Sequence, residues 1–283
     1  MMMYMLFPDA KRKALTFSYD DGVEQDIRLM EIFNKHGLKG TFNLNGEPLQ
    51  TAEYTWPEGT VHRRVGYKKA LESYGGELGK NHEIAIHGYT YPFLDRVPRP
   101  IANYEVAKDR EALEKLFDRL VRGCAYPMGT FNDMTVEVLR DNDIAYARTT
   151  VSTGNFSIPT DWLRMPATCH HNDDRLFDLA ETFVNGQPNG WDTPWLFYVW
   201  GHAYEFDANN NWDRIESFCE RVGGRDDVWY ATNMEVYEYV EAYRALHFSV
   251  EGRFVRNPSA IPVWFEYAGV TCCVQPGETK KFR

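Results

Sequence analysis

The feature that most constrains this chain is an alternation. Short apolar runs, each ending in residues capable of chemistry, are separated by amphipathic stretches at helical spacing. Residues 14–19 run into Asp20-Asp21-Gly22, residues 83–86 into His87-Gly88, residues 144–147 into Arg148, and residues 195–200 into Gly201-His202. Ile27, Met30, Ile32 and Phe33 recur at helical spacing and stop at His36-Gly37, a helix C-terminal signal. Further strands are expected at 40–44, 124–126, 163–167 and 228–231, and helices at 106–120, 134–139, 212–222 and 236–246. Strands alternating with helices call for a parallel sheet, and about seven such units in roughly 240 residues suit a barrel. In a β/α barrel the C-terminal strand ends share one mouth. Asp20, Asp21, His87, Arg148 and His202 are therefore expected to converge although they are far apart in sequence.

After residue 246 the pattern changes to short strands at 247–250, 253–255, 261–267 and 270–274, punctuated by Glu251-Gly252, Asn257-Pro258 and Pro276-Gly277. The expected fold is a distorted α/β barrel over 1–246 with a small antiparallel β appendage, 247–283, packed on it. Trp264 or Tyr267 offers the appendage a sugar-binding face, although packing is the commoner use of such residues.

Composition narrows the partners. The chain of 283 residues has 31 basic and 41 acidic side chains, a formal charge of −10. That balance disfavours nucleic acid and anionic membranes, and no apolar stretch is long enough to span a bilayer. Aromatics make up 15%; Trp56, Trp191, Trp195 and Trp212 fall where a sugar platform could form, although each is more often core. The five cysteines, Cys124, Cys169, Cys219, Cys272 and Cys273, are odd in number and contain no C-x-x-C. They read as free thiols of a reducing compartment, and the short apolar start before Asp9 carries no secretory pattern. The expectation is a cytoplasmic protein.

Two adjacent carboxylates followed by glycine suit a divided task. One binds a cation and the other stays free as a base, although Asp-Asp-Gly is also a good turn. His87, with glycine beside it, is a suitable imidazole ligand; His82, at the strand start, is structural. Taken with Asp20-Asp21, His87 and His202, the chain resembles the polysaccharide deacetylases of the NodB-homology, carbohydrate esterase family 4 type, from about residue 14 to 242. Thr16-Phe17-Ser18-Tyr19-Asp20-Asp21-Gly22 resembles the family's T-F-D-D-G with two residues inserted. Residues 81–91 resemble its H-x-x-x-H motif except at the end. Ala125-Tyr126-Pro127-Met128-Gly129 is close to an A-Y-P-Y-G variant of its third motif, with Asn132 following. Tyr198-Val199-Trp200-Gly201-His202 resembles its final strand ending in histidine.

The resemblance implies a distorted (β/α)7 barrel and a role for each residue. Asp20 is the general base; Asp21 and His87 hold a divalent metal, zinc first, with cobalt or nickel as alternatives. Backbone N–H near Tyr126, beside Pro127, steadies the oxyanion, and His202 is the general acid. The implied partner is an acetylated carbohydrate or small acetylated substrate. Three departures stand out. Tyr91 replaces the second metal histidine, and a phenol with pKa near 10 is a poor ligand. Ala125 replaces the arginine that orients the base, and Ala203 follows His202 where the family has aspartate. Tyr91 leaves three readings: a weak or water-mediated ligand, a site that lost its metal, or a hydrolase that uses none. His170 and His171 offer a substitute ligand if they reach the mouth, against the favoured reading of a solvated loop entering a helix. Arg148, ahead of Arg164, is the candidate to stand beside Asp20 and keep it ionised. Glu205 or Asp207 is placed to set the protonation of His202. The expected activity is metal-assisted deacetylation of a sugar. The alternatives are a metal-independent amidohydrolase acting on a small cyclic amide or ureide, and a non-catalytic carbohydrate-binding relative.

Overall fold

The computed structural model describes residues 3–50, 56–190 and 193–282. Its strands are β1 (Met3–Leu6), β2 (Lys13–Asp20), β3 (Thr41–Leu44), β4 (Glu83–Ile86), β5 (Gly123–Ala125), β6 (Tyr146–Ser152), β7 (Met165–Ala167), β8 (Cys169–His170), β9 (Trp195–Gly201), β10 (Val228–Tyr230), β11 (His247–Phe248), β12 (Phe254–Arg256), β13 (Val263–Tyr267), β14 (Val270–Val274) and β15 (Thr279–Lys281). Its helices are α1 (Gln25–Lys35), α2 (Tyr67–Ser73), α3 (Arg99–Phe117), α4 (Asp133–Asp141), α5 (Leu176–Asn185), α6 (Tyr204–Ala208), α7 (Trp212–Val222) and α8 (Asn233–Arg244).

The parallel sheet runs β7-β6-β5-β4-β3-β2-β9-β8. Its two ends are one segment. β7 pairs with β6 and β8 with β9, and the intervening Thr168 N–H donates to the Tyr198 carbonyl at 2.8 Å. Residues 165–170 therefore close the sheet into a distorted (β/α)7 barrel of seven staves. β10 is not one of them. It pairs with Lys13–Leu15 of β2, while β3 takes Ser18–Asp20 on the same edge.

β2 is buried at all eight positions because one face fills the barrel and the other meets helices. Phe17 stacks at 4.4 Å on Phe33 of α1, and Phe197 of β9 meets Phe218 of α7 at 5.6 Å. Polar groups at the bottom of the barrel are paired: Glu83 accepts from Thr41, Tyr146 and the Met234 N–H at 2.6–2.8 Å. Such closure is what buried polar atoms require.

The appendage consists of two antiparallel sheets, β1-β13-β14 and β11-β12-β15. Val255, Val263, Phe265 and Val274 pack with Ala242 and Leu246 at the end of α8. The N-terminal β1 joins it, pairing Leu6 with Trp264, a long-range contact that no local pattern announces. The helix expected at 106–120 starts earlier, at Arg99, because Pro100 suits a first turn. The strand expected at 163–167 begins with a 3-10 turn, Trp162–Arg164, set by Asp161 accepting from Leu163 N–H. All five cysteines are free, and among the described residues no helix is long and apolar enough to cross a membrane.

Candidate active site

Asp20 ends β2 at the C-terminal mouth and is 2% exposed. Its Oδ2 is ion-paired with Arg148 Nη2, and its Oδ1 accepts from Asn43 Nδ2 at 2.8 Å. Arg148, in β6, is itself buried, and its guanidinium lies 4.4 Å over the Trp200 ring. The guanidinium compensates the buried carboxylate. His87 Nε2 and His202 Nε2 both stand 3.8 Å from the same Oδ2. Asp20, His87, Tyr91, Tyr126, Met128, Gly129, Thr150, Trp200 and His202 line a cavity of about 180 Å³.

Asp21 adopts φ +82°, a left-handed conformation uncommon for a residue with a Cβ, and Gly22 follows at φ +62°. The turn aims Asp21 back across the mouth. Its Oδ2 accepts from His62 Nε2 at 3.1 Å, and its Oδ1 lies 3.7 Å from His87 Nε2 and 3.6 Å from Arg64 Nη2. Burial alone would raise its pKa; the His62 hydrogen bond, then His87, His202 and Arg64, overcome that and hold it well below the carboxylate range. His87 is fully buried, which lowers its pKa. Its Nδ1 lies 2.8 Å from the Ala125 carbonyl, so Nδ1 carries the proton and Nε2 a lone pair. Asp109 of α3 fixes the loop from behind, accepting from His87 N–H at 2.9 Å and Gly46 N–H at 2.6 Å.

His87 Nε2 and Asp21 Oδ1 are both buried without a hydrogen-bond partner. A neutral imidazole lone pair and a carboxylate oxygen facing one another suit a divalent cation, so these residues fit one. Tyr91, with its ring 5.0 Å from that of His87, does not complete the set: burial, with Asp21 and Asp20 nearby, pushes its phenol pKa further up.

His202 faces the cavity from the end of β9. Burial lowers its pKa, but Glu205 and the two aspartates outweigh this and leave it raised. Glu205, not Asp207, is the neighbour: Oε1 is 3.5 Å from His202 Nδ1. Asp207 is occupied by Trp212, Gln25 and Arg63. Glu205 Oε2 lies 3.2 Å from His170 Nε2 and 2.9 Å from His171 Nε2, spacings that would also suit a cation. The Asn172 N–H donates to His170 Nδ1 at 3.1 Å. That places the His170 proton on Nε2, which makes it a donor toward Glu205 rather than a metal ligand.

Several expectations need correction. His171 is not in a solvated loop. It is fully buried and stacked 4.3 Å from Phe206, and a Cβ on Gly201 would lie 2.0 Å from its Nδ1. Neither His170 nor His171 pairs with Asp21; both are at Glu205. The Tyr126 N–H does not face an oxyanion: it donates to the Arg148 carbonyl at 3.1 Å as part of the barrel ladder, and the Tyr126 hydroxyl donates to Leu163 O. Pro127, with no N–H, leaves Tyr126 as wall. Arg164 is bound to Asp161 and Asp133 away from Asp20. Trp195 and Trp212 are buried core, Trp56 donates to the Arg64 carbonyl, and Trp191 lies outside the described residues. Sequence reasoning missed Trp200, hidden inside an entirely apolar strand. It also missed His62 and Arg64, which sit in a stretch without periodicity, between β3 and α2, where loops reach the mouth.

The family model of the polysaccharide deacetylases, a family of hydrolases, matches residues 8–147. No curated protein matches the chain. Among solved structures, a Mycobacterium smegmatis protein provisionally described as a polysaccharide deacetylase is 19% identical, with a TM-score of 0.61 over 85% of this chain and 94% of that one. The peptidoglycan deacetylase PdaC of Bacillus subtilis is 16% identical, with a TM-score of 0.49 over 85% and 96% of the two chains. A Bacillus anthracis protein described as a family 4 carbohydrate esterase pseudoenzyme is 16% identical, with a TM-score of 0.48 over 83% and 68%. The first of these likenesses shows the barrel. The family match ends one residue before Arg148 and well before His202.

Proposed function

We propose that this chain removes acetyl groups from an acetylated sugar or short oligosaccharide, with a divalent cation, zinc by preference, held at Asp21 and His87. The observation that carries the reading is the convergence on Asp20 Oδ2 of His87 and His202, each at 3.8 Å, on one wall of the cavity. Asp20 takes the proton of the attacking water. Arg148, ion-paired with it and stacked on Trp200, keeps it in place. His202, charged through Glu205 and the aspartates, gives its proton to the leaving amine or alkoxide. Trp200, Tyr126 and Met128 bound the acetyl pocket and exclude bulk water. When bound, the cation polarises the acetyl carbonyl and the water. In this reading residues 1–246 carry the chemistry and 247–283 form an appendage on α8.

Acetate release from N-acetylglucosamine oligomers and from an aryl acetate tests it. Asp20→Asn should lower turnover by about 10²–10⁴ without loss of bound metal. Turnover within about tenfold of wild type excludes Asp20 as the base.

One observation favours a second reading, hydrolysis without a metal. Arg64, its guanidinium 5.1 Å over the Tyr91 ring, brings a positive charge to 3.6 Å from Asp21 Oδ1. A small cyclic amide or ureide is the substrate class for that case. Catalytically competent protein free of divalent metal would select it.

A further inference from the structure

The Tyr126 N–H is spent on the barrel ladder, so the carbonyl oxygen of a bound acetyl group lacks the donor expected for it. We infer that the Tyr91 hydroxyl is a hydrogen-bond donor to that oxygen, so that a residue unsuited to hold a metal acts instead on the charge that builds at the carbonyl. The inference rests on the deacetylase reading above and not on whether a cation takes part.

The backbone holds Tyr91 in place firmly. It adopts φ +63°, a left-handed conformation uncommon for a residue with a Cβ and kept only where the surroundings enforce it. The surroundings here are a short turn and a helix. The Tyr91 N–H donates to Gly88 O at 3.3 Å, and Gly88 itself has φ +79°. The Thr90 N–H and Oγ1 each donate to Glu105 of α3 at 2.8 Å, and Asp109, one turn further along α3, accepts from the His87 N–H. Glu105 and Asp109 are both buried. The turn is thus pinned at residues 87, 90 and 91, and it brings Tyr91 to the wall of the cavity shared with Asp20, His87 and His202. The ring lies 5.0 Å from that of His87, and the Arg64 guanidinium, itself bonded to Asn45 Oδ1, sits 5.1 Å over it.

Among the side-chain donors on that wall, the phenol is the free one. The Tyr126 hydroxyl donates to Leu163 O, Trp200 Nε1 is buried and exposes no surface to a substrate, and Thr150 lies at the exposed rim. His202 is committed to the leaving group. No hydrogen bond occupies the Tyr91 hydroxyl among the described residues. A phenol with an ordinary pKa near 10 is protonated at neutral pH, so it donates where a ligand imidazole would accept. In the reaction the water oxygen bonds to the acetyl carbon as its proton passes to Asp20, and the carbonyl π pair moves onto oxygen. Tyr91 donates a hydrogen bond to that oxygen and keeps its own proton. When the pair returns, the bond to the leaving amine or alkoxide breaks, and the leaving group takes a proton from His202. Asp20 and His202 are then reset through solvent. A fixed donor aimed at charge that exists only in the transition state raises the rate without tightening substrate binding.

Tyr91→Phe removes one oxygen and keeps the ring against His87 and Arg64, so it separates the donor from the wall. On N-acetylglucosamine oligomers and an aryl acetate it should lower kcat by about 10²–10³-fold, with kcat/KM falling equally and KM unchanged. Calorimetry with methylphosphonate, a tetrahedral anion shaped like the attacked acetyl group, should show affinity for the full chain lowered by about tenfold or more in the variant. Zn²⁺ titration against a competing chelator should give the same affinity for both proteins, and urea unfolding the same midpoint. A kcat within about tenfold of wild type, or an unchanged affinity for methylphosphonate, overturns the inference and leaves the deacetylase reading standing. Weaker Zn²⁺ binding by Tyr91→Phe also overturns it, because the phenol is then a ligand. No acetate release by wild type overturns the deacetylase reading and this role with it.

Discussion

The two halves of the barrel mouth are built differently. On one side Asp20 and His202 sit at strand ends and Arg148 within β6, and the Asp20–Arg148 pair is buried on both partners. On the other side Asp21 looks out from a left-handed turn toward a loop, and His62 and Arg64 reach it from the solvent side. The difference follows from what each half must do. Proton transfer needs groups held in a fixed geometry, and burial with a permanent partner holds them there. Cation binding needs convergent lone pairs and an open position, which a loop can supply from several places in the sequence. The strand-borne half should therefore be costly to alter in both stability and rate, and the loop-borne half in metal affinity and, through it, in rate.

The sharpest contrast is between Asp21→Ala and His202→Ala. Both should lower acetate release by about 10²-fold or more, but only Asp21→Ala should lose the metal by equilibrium titration. Loss of metal in His202→Ala with retention in Asp21→Ala would reverse the assignment of the two halves.

Arg148→Met tests the buried pair. Removing one partner of a buried ion pair costs about 3–5 kcal/mol, so urea unfolding should show a large loss. Arg148→Lys should recover part of it, since the charge returns without the planar contact to Trp200. His62→Ala, which removes one half-exposed hydrogen bond to Asp21, should cost less, about 0.5–1.5 kcal/mol. Equal losses in Arg148→Met and His62→Ala would erase the distinction.

The smallest effect is in pH dependence. Burial, opposed by Glu205, lowers the His171 pKa to about 4 from an ordinary value of 6.5. The unfolded chain binds that proton first, so His171 contributes stability present above pH 6.5 and lost as pH falls from there through 4. The loss is at most about 3 kcal/mol at 1.36 kcal/mol per unit. His171→Gln should flatten the unfolding free energy across that window by close to one proton. An unchanged slope would show that His171 is charged in the folded protein.

What could be read from the sequence follows the same division. The barrel was legible because each stave is an apolar run and each turn into the mouth carries its own polar residue. Asp20, Asp21, His87 and His202 announce themselves by position, and Arg148 by following an apolar run, although the strand itself runs from Tyr146 through Ser152 and contains it. Nothing local marks His62, because loop residues have no period and its partner is 41 residues away. The burial of His171 was equally invisible. It depends on Gly201, a glycine of β9 against which the ring packs closer than any Cβ would allow. The Tyr126 N–H misled because the motif gives residue types but not which backbone groups the ladder has already used. Strands β11 to β14 were legible from their turns, whereas β15 was not, and neither was β1, since its partner lies at the other end of the chain.

The most direct test of the account is where a metal binds. A crystal of the full chain grown with Zn²⁺, with anomalous data at the zinc edge, reads this without reference to activity. The account expects one strong peak about 2.0–2.2 Å from His87 Nε2 and an Asp21 oxygen, with Asp20 unligated. A dominant peak among His170, His171 and Glu205, or an Asp21–His87 site that stays empty in saturating zinc, would contradict it.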